Sequence, residues 1–469
     1  MVLVSMNSFL SWLYTHAPPC ERSVFASVYG LYLRQYRYGG NGNALVEEAL
    51  ARDAWSPEQW STWQQARLSF ILDRAATRVP YYRDWWRQQV PEVSTGRRVA
   101  GNDAPWRRLA NWPVLKKEVI RRQPAAFLAD DLDARTLKTS PTGGTTGTPL
   151  LVSSSRATMQ MWYALQEARI RRRHGVSRHE RWAMMGGQVV VPVSRRRPPF
   201  WVHNAGLHQL YLSTHHLSPA NAPAYAAALC KFAPTHLIVY PSSAAVLASE
   251  ILAQSLSVPR PKVIFSNAEL LLDSQREVIS KAFGCPVVNT YGMGEMVAGG
   301  CECAAGALHL WPDAGIVEAL PPAAGETAGE LLCTGLVNPD MPLIRYSIGD
   351  RGVLAPEKCR CGLNFPVLAR IEGRANDMLR TPDGRRVFWL NPAFYGLPVR
   401  ESQIVQETAT TIRVRLVPGD GFERAMEDEI IRRLQERLGN AMIITVEILD
   451  YIPRGANGKL QAVINRVVT

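Results

Sequence analysis

The 469-residue chain lacks any run of the roughly 18 apolar residues needed to cross a bilayer as a helix, so no transmembrane segment is expected. It also lacks, at its N-terminus, the charged start, long apolar core and cleavage site of a signal peptide, and a cytoplasmic location is the default expectation. There is no internal repeat and no low-complexity tract, which excludes solenoid and fibrous architectures. Acidic residues are fewer than basic ones, 41 against 53, leaving a formal net charge of +12. The excess is not gathered into a basic tail. It lies in short runs such as Arg171-Arg172-Arg173 and Arg195-Arg196-Arg197, so no nucleic-acid partner is expected. A solvated basic surface accounts for the charge, and an anionic small-molecule substrate would also suit it.

Cysteine is sparse, but four of the eight sit in two close pairs, Cys301/Cys303 and Cys359/Cys361. In a cytosolic chain such pairs point to a metal before a disulfide. With His309 between the pairs, they make a candidate zinc constellation. Three thiolates and one imidazole give a closed tetrahedral structural site. A set of reduced, buried cysteines is the competing account.

The pattern of elements changes along the chain. Residues 1 to about 135 read as mostly helical. Ser56 and Pro57 supply an N-cap and first-turn proline for a helix running to Arg78, and Pro80 ends it. From about 136, short apolar runs alternate with helical stretches, the signature of an α/β layered fold. Predicted strands are Trp182–Met185, His236–Tyr240, Val263–Ser266 and Val287–Asn289, with a helix from Leu272 to Phe283. After about 305 the segments are shorter, more β-like and punctuated by Gly and Pro. Beyond Arg374 a separate α+β module is expected, with strand Thr411–Val417, helix Phe422–Leu438 and strand Ile443–Ile448. The expected domains are residues 1–373 and 374–469. The segment from Phe9 to Tyr36, rich in Tyr, Leu and Trp, reads as a packed helix, with a membrane or partner surface as the alternative.

Residues 139 to 150 read Thr-Ser-Pro-Thr-Gly-Gly-Thr-Thr-Gly-Thr-Pro-Leu. Small residues let the backbone approach an anion, and successive N–H groups can cradle phosphate oxygens. No Gly-Lys-Ser/Thr follows, so this is not a Walker A loop. The segment Thr142 to Pro149 resembles the phosphate-binding loop of the acyl-adenylate-forming superfamily, where Lys is common at the position of Thr148. Three further segments follow in that superfamily's order. Asn289-Thr290-Tyr291-Gly292-Met293-Gly294-Glu295 resembles its Tyr-Gly-x-x-Glu signature, Tyr346-Ser347-Ile348-Gly349-Asp350 its ribose-binding Asp, and Pro453-Arg454-Gly455-Ala456-Asn457-Gly458-Lys459 its C-terminal lysine motif. Gly373-Arg374-Ala375-Asn376-Asp377 resembles the hinge segment between them. Each is weak alone; together they span residues 142 to 459.

The resemblance implies a large, multi-layer α/β main domain for ATP and acyl binding and a small mobile α+β C-terminal domain carrying the catalytic lysine. By the same resemblance Lys459, Glu295 and Thr145 are catalytic. Thr142, Gly143, Gly144, Thr146, Gly147, Ala268, Glu269, Asn289, Thr290, Tyr291, Gly292, Asp350 and Arg374 contact the nucleotide, Asp377 is the hinge, and Glu295 binds Mg²⁺. Val79-Pro80-Tyr81-Tyr82-Arg83 and Trp112-Pro113-Val114-Leu115-Lys116-Lys117 are similar to the phenylacetate–CoA ligase and CapK-like branch. Some members of that branch use the zinc ligand set Cys303, His309, Cys359 and Cys361, with Cys301 as the spare candidate.

The implied reaction joins a carboxylic acid, aryl acids included, to AMP and then to coenzyme A. The alternative acceptor is an amine, sugar or carrier protein. ATP, Mg²⁺, coenzyme A and structural Zn²⁺ are the implied cofactors, and a homodimer is compatible with the sequence. Trp201, His203, Tyr240, Ser266, Ala268 and Glu269 are candidate acyl-pocket walls, and His215 and His216 are weaker candidates for substrate contact.

Overall fold

A computed structural model describes residues 13–89, 105–142, 150–322, 327–374, 379–382, 386–387, 390–394, 397–455 and 460–467. Two large sheets organise the main body. The first has six strands in the order Trp201–Asn204, Gln209–Ser213, Trp182–Gly186, His236–Val239, Val263–Ser266, Val287–Val288. All neighbours run parallel except the edge strand Trp201–Asn204. Helices Ala222–Phe232, Pro241–Ala253 and Asp273–Phe283 connect and cover these strands, burying Leu229, Leu247, Ile251 and Ile279 against Leu237 and Ile264. That layering follows from strands apolar on both faces, which need helices to exclude water.

The second sheet has seven strands, in the order Gly315–Ala319, Gly329–Gly335, Tyr346–Ala355, Val367–Arg374, Leu308–Leu310, Gly299–Glu302, Thr290–Gly292. Its described pairings are antiparallel. Here the structure departs from the expectation of shorter elements. Tyr346–Ala355 is a ten-residue strand and Val367–Arg374 has eight. Register shifts at Arg351/Gly352 and Val353/Leu354 absorb the glycine that punctuates the sequence, so a break in the pattern is a bulge in the strand.

The N-terminal third is helical, as its periodicity predicts. Ser56 Oγ accepts from Gln59 N–H and Gln59 Oε1 accepts from Ser56 N–H, a closed capping box on helix Pro57–Arg78. Pro80 both ends this helix and starts the next, Pro80–Gln89, as a first-turn proline can. A buried charge network ties this layer to the rest. Arg169 donates to both Asp53 and Asp313, at 2.7 Å to Asp313, and Arg52 reaches Asp313 at 3.1 Å.

Residues 379–466 have their own core. A four-stranded mixed sheet, Ile443–Ile448, Thr411–Pro418, Val399–Gln406 and Val463–Asn465, packs Val414 and Leu416 against Ile430 and Leu434 of helix Ala425–Leu438. The helix starts three residues later than its apolar pattern suggests, because a turn at Gly419–Phe422 precedes it.

Asp313 lies 3% exposed between two arginines, so its loss leaves buried charge unpaired. Asp313→Asn should lower stability by roughly 3–5 kcal/mol. Urea unfolding checks this; a change under about 1 kcal/mol would mean the network is not a structural tie.

Candidate active site

The two sheets enclose one long cavity of about 760 Å³, lined by residues of both and by Leu460–Val463 of the C-terminal unit. Its near end lies at the C-terminal edge of the parallel strands, where open α/β sheets bind ligands. Strand Thr290–Gly292 brings Tyr291 there, and Tyr346–Ala355 brings Asp350. The Tyr291 hydroxyl donates to Asp350 Oδ2 at 3.0 Å. Asp350 pairs in register with Arg374.

Asn289 and Thr290 are held by the neighbouring strand. Ser266 Oγ donates to Asn289 Oδ1 at 2.8 Å, and Thr290 N–H donates to Ser266 Oγ at 3.2 Å. Glu302 clamps the same turn, accepting from Asn289 N–H at 2.8 Å while pairing with both terminal nitrogens of Arg276.

Glu295 is buried at 6% exposure. The Tyr346 hydroxyl donates to its Oε1 at 3.1 Å, and Lys117 Nζ stands 3.7 Å from the same oxygen. Burial, then the Glu295 charge, pushes the Tyr346 phenol far above its ordinary range, so it stays a donor. Lys117 and Tyr346 received no role in the sequence reading. Both lie inside quoted segments, and what was missing was the contact between elements.

The phosphate-loop segment hangs from a two-stranded hairpin, Lys138–Pro141 with Leu151–Ser154. Its mouth is closed by Thr142 N–H to Leu150 C=O at 2.8 Å and Leu150 N–H to Thr142 Oγ1 at 3.3 Å. Gly143, Gly144, Thr145, Thr146 and Gly147 lie outside the described residues. Thr142 lines the cavity, and Gly294 packs so closely on it that a Cβ there would stand 3.2 Å from Thr142 Cγ2.

The C-terminal unit closes over this end. Glu269 accepts from Ser242 N–H at 3.0 Å and from Leu460 N–H at 3.0 Å. Arg400 pairs with Glu250 at 2.8 Å, and Arg454 of the lysine motif pairs with Glu401. Lys459 and Asp377 lie outside the described residues, but both flanks of the lysine motif are thereby anchored at the cavity rim. Ala268 lines the cavity with φ +65°, a strained setting for a residue with a side chain.

Not every expected wall residue faces inward. Tyr240, Ser266, Ala268 and Glu269 do. Trp201 and His203 do not: strand alternation puts Val202 and Asn204 on the cavity side, while Trp201 packs on Tyr225 and His203 on Phe232. His216 is structural. Its ring hydrogen-bonds Ser213 Oγ at 2.8 Å and Pro192 C=O at 3.1 Å and stacks on Phe200. His215 lies outside the cavity lining.

Away from the cavity, one ligand atom each of Cys303, His309, Cys359 and Cys361 lie within 4.8 Å of one another. With zinc–sulfur bonds of about 2.3 Å and zinc–nitrogen bonds of about 2.0–2.1 Å, tetrahedral edges come to about 3.8 Å and about 3.5 Å. Cys303 Sγ and Cys359 Sγ are 3.8 Å apart, and Cys361 Sγ is 3.2 Å from His309 Nε2. His309 Nδ1 donates to Phe365 C=O at 3.3 Å, which aims the Nε2 lone pair at the thiols. Burial opposes the Cys303 thiolate. Hydrogen bonds from Ala307, Ala305 and the Cys359 and Cys361 thiols outweigh it and hold its pKa below the ordinary value. Cys301 falls outside the group, in the main core, where burial pushes its thiol up.

Comparisons with known proteins bear on the family and the fold. Residues 379–466 match the CapK C-terminal domain family. The chain is similar to Protein CapK of Staphylococcus aureus, 26% identical over 471 residues, covering 98% of this chain and 100% of that one. It is also similar to the phenylacetate–coenzyme A ligase of Thermus thermophilus, 26% identical over 270 residues, or 50% of this chain and 61% of that enzyme. The crystal structure of 2-hydroxyisobutyryl-CoA ligase in the postadenylation state superposes with a TM-score of 0.66 at 20% identity, covering 88% of this chain and 91% of that one. The fold is therefore that of the adenylate-forming CoA ligases. Within it, the chain is homologous to CapK and to the phenylacetate–CoA ligases. Among the described residues no helix is long and apolar enough to cross a membrane.

His236 lies under the far end of the cavity. Arg171 Nε donates to its Nε2 at 3.2 Å, and its Nδ1 has no hydrogen-bond partner among the described residues. Burial, then the charges of Arg171 and Lys262, lower its pKa to about 3. The folded pKa lies below the unfolded one of about 6.5, so the stabilising term is complete above pH 6.5 and lost as pH falls toward 3. Between pH 6.5 and 5 this histidine alone should remove about 2 kcal/mol. Unfolding measured at both pH values in wild type and His236→Gln checks it, and identical acid losses in the two proteins would refute the assignment.

Proposed function

We propose that the chain activates a carboxylic acid with ATP as an acyl-adenylate and then transfers the acyl group to coenzyme A. The observation that carries this reading is the convergence of Thr142, Tyr291, Glu295 and Asp350 on one cavity whose rim is closed by the Leu460–Glu269 contact. In the first step a substrate carboxylate oxygen attacks the α-phosphorus of ATP, and the bond to pyrophosphate breaks. In the second the thiol sulfur of coenzyme A attacks the acyl carbon, the thiol proton is lost, and AMP leaves.

The roles divide by chemistry. Asp350, already an acceptor for Tyr291, receives the ribose hydroxyls, since a carboxylate can take both. The Tyr291 ring flanks the adenine, and the segment Asn267–Glu269 edges it. The Glu295 carboxylate suits magnesium, which prefers oxygen ligands and would neutralise the triphosphate. Lys117 adds a fixed cation beside Glu295, in a loop family member that has Thr148 where lysine is common. Thr142 and the segment 143–147 hold phosphate oxygens through N–H and hydroxyl groups. Lys459 stabilises the charge that grows on the α-phosphate. Arg374 contacts the nucleotide, and the unit after residue 373 turns about Asp377 between the two half-reactions.

The second acceptor reading, an amine, sugar or carrier protein, has one specific support. Protein CapK is matched along its whole length, whereas the phenylacetate–CoA ligase is matched over 61% of its own. Zinc at Cys303, His309, Cys359 and Cys361 would staple the loop after strand Gly299–Glu302 to the segment before Val367–Arg374; it would do no chemistry.

Two outcomes test the reading. With a broad panel of acids, labelled pyrophosphate should exchange into ATP. Lys459→Ala and Lys117→Ala should each slow that exchange by about 100-fold or more, while Lys459→Ala uses supplied acyl-adenylate and coenzyme A nearly normally. No exchange with any acid, or equal loss in both half-reactions for Lys459→Ala, would sink it. For the metal, the purified protein should carry one zinc per chain, and Cys361→Ser should lose it and lower the melting temperature. Metal-free wild type of unchanged melting temperature would contradict the staple.

A further inference from the structure

The cavity is longer than an adenylate needs. Tyr240, just past strand His236–Val239, lines its near end, and the strand begins at His236 four residues earlier, about 13 Å away at a strand rise of ~3.3 Å. Trp182 and Gln209 are level with His236 in the parallel register. The cavity continues past them to the helix Pro19–Tyr38.

Acids and the arginine cluster lie at opposite ends of this length, with Lys117 and Arg400 as the cations among the near-end acids. The acids that line the cavity are Glu269, Glu295, Asp350, Glu372 and Glu401, on the elements that build the near end. The far end is lined by Arg34, Arg37, Arg171, Arg178, His179 and His208, with no acid among its described lining residues. Behind that wall, Arg171 and Arg178 share one carboxylate, Glu167, each at 3.6 Å. One buried negative charge thus faces several positive ones. The groups share a neighbourhood: after burial, the His179 imidazole is lowered by Arg178, with Glu167 opposing, and then by His208 and Arg34.

Aromatic faces hold the guanidiniums in place. Arg37 lies 4.2 Å over Tyr163, Arg178 4.2 Å over Tyr38, and Arg171 4.9 Å over Trp182. Gln209, 6% exposed, turns its amide into the same space, where it meets the Met184 sulfur at 3.8 Å. A wall built for an apolar acyl chain would not carry this many polar and cationic groups at its end, because burying them against hydrocarbon costs desolvation without return.

We infer that the acid activated here is elongated and carries a second anionic group, a carboxylate or its equivalent, at the end remote from the reacting carboxyl. This deepens the proposed adenylation and rests on it. The middle of the cavity, walled by Met184, Tyr211, Ile238 and Phe265, takes the apolar body of such an acid, and the arginine end takes its tail.

The test uses pyrophosphate exchange without coenzyme A, so that the coenzyme's own phosphates cannot answer for the tail. Dicarboxylic acids of increasing length are compared with their half methyl esters. The dicarboxylate should exceed its ester at least tenfold in kcat/KM at the best length. The double variant Arg34→Gln/Arg37→Gln should cut that ratio at least tenfold while keeping the wild-type unfolding transition. Esters that match or outdo the diacids, or a ratio untouched by the double variant, would overturn the inference and leave the adenylation reading standing. Silence with every acid would overturn both.

Discussion

The structure turns on the burial of Arg169. Its guanidinium is 1% exposed, pairs with Asp53 and Asp313, and lies 4.6 Å from the centre of the Phe365 ring. Desolvation works against that charge, and the two carboxylates outweigh it and hold the pKa up. Three parts of the chain meet there: the N-terminal helices through Arg52 and Asp53, the helical stretch from Arg156 to Arg171 through Arg169, and the approach to the seven-stranded sheet through Asp313. Phe365 supplies the carbonyl that orients His309, so the same node also borders the Cys/His cluster. Without that tie, neither the helical layer nor the cluster would have a fixed position against the sheets that wall the cavity.

The helix carrying Arg169 also sets the cavity's far end. Regular α-turns from Arg156 to Gln166 give way to one π-helical turn, Glu167–Arg171. The wider turn lets Glu167, Arg169 and Arg171 all be buried. Arg169 reaches the charge node, while Arg171 reaches His236 and the face of Trp182. One local irregularity therefore couples the buried Arg169 ion pairs to the polarity of the pocket.

Much of the fold is legible in the sequence because local chemistry and tertiary demand coincide. Ser56 and Pro57 start a helix where a cap and a fixed φ are wanted, and the apolar runs at 182, 236 and 263 are strands because a parallel sheet buries both faces. The Cys/His set is legible because its ligands sit in two short segments, Cys303 to His309 and Cys359 to Cys361, and Tyr291 and Asp350 are legible because each lies in a local motif of its own. What is not legible arises from pairing across long separations. Lys117 meets Glu295 across 178 positions, and nothing local marks it as different from Lys116, which turns instead to Glu330. Trp201 and His203 are misread as cavity walls because an edge strand shifted by one residue presents its other face, and periodicity alone does not say which face is inside.

The opposite ends of the cavity make opposite electrostatic demands, and this bears on how the two units close. At the near end two main-body carboxylates, Glu269 and Glu250, stand where the C-terminal unit docks. Each is answered by a donor from that unit, Leu460 N–H or Arg400. Inside the C-terminal unit Glu401 faces the cavity and pairs with Arg454, with burial raising its pKa and Arg454 opposing. Among the described residues these polar contacts cross the junction, and the apolar core of residues 379–466 is distinct from the main cores. Contacts that water can replace are cheap to break, so a junction of this kind is compatible with the rearrangement between half-reactions proposed above, with the cores of both units left intact.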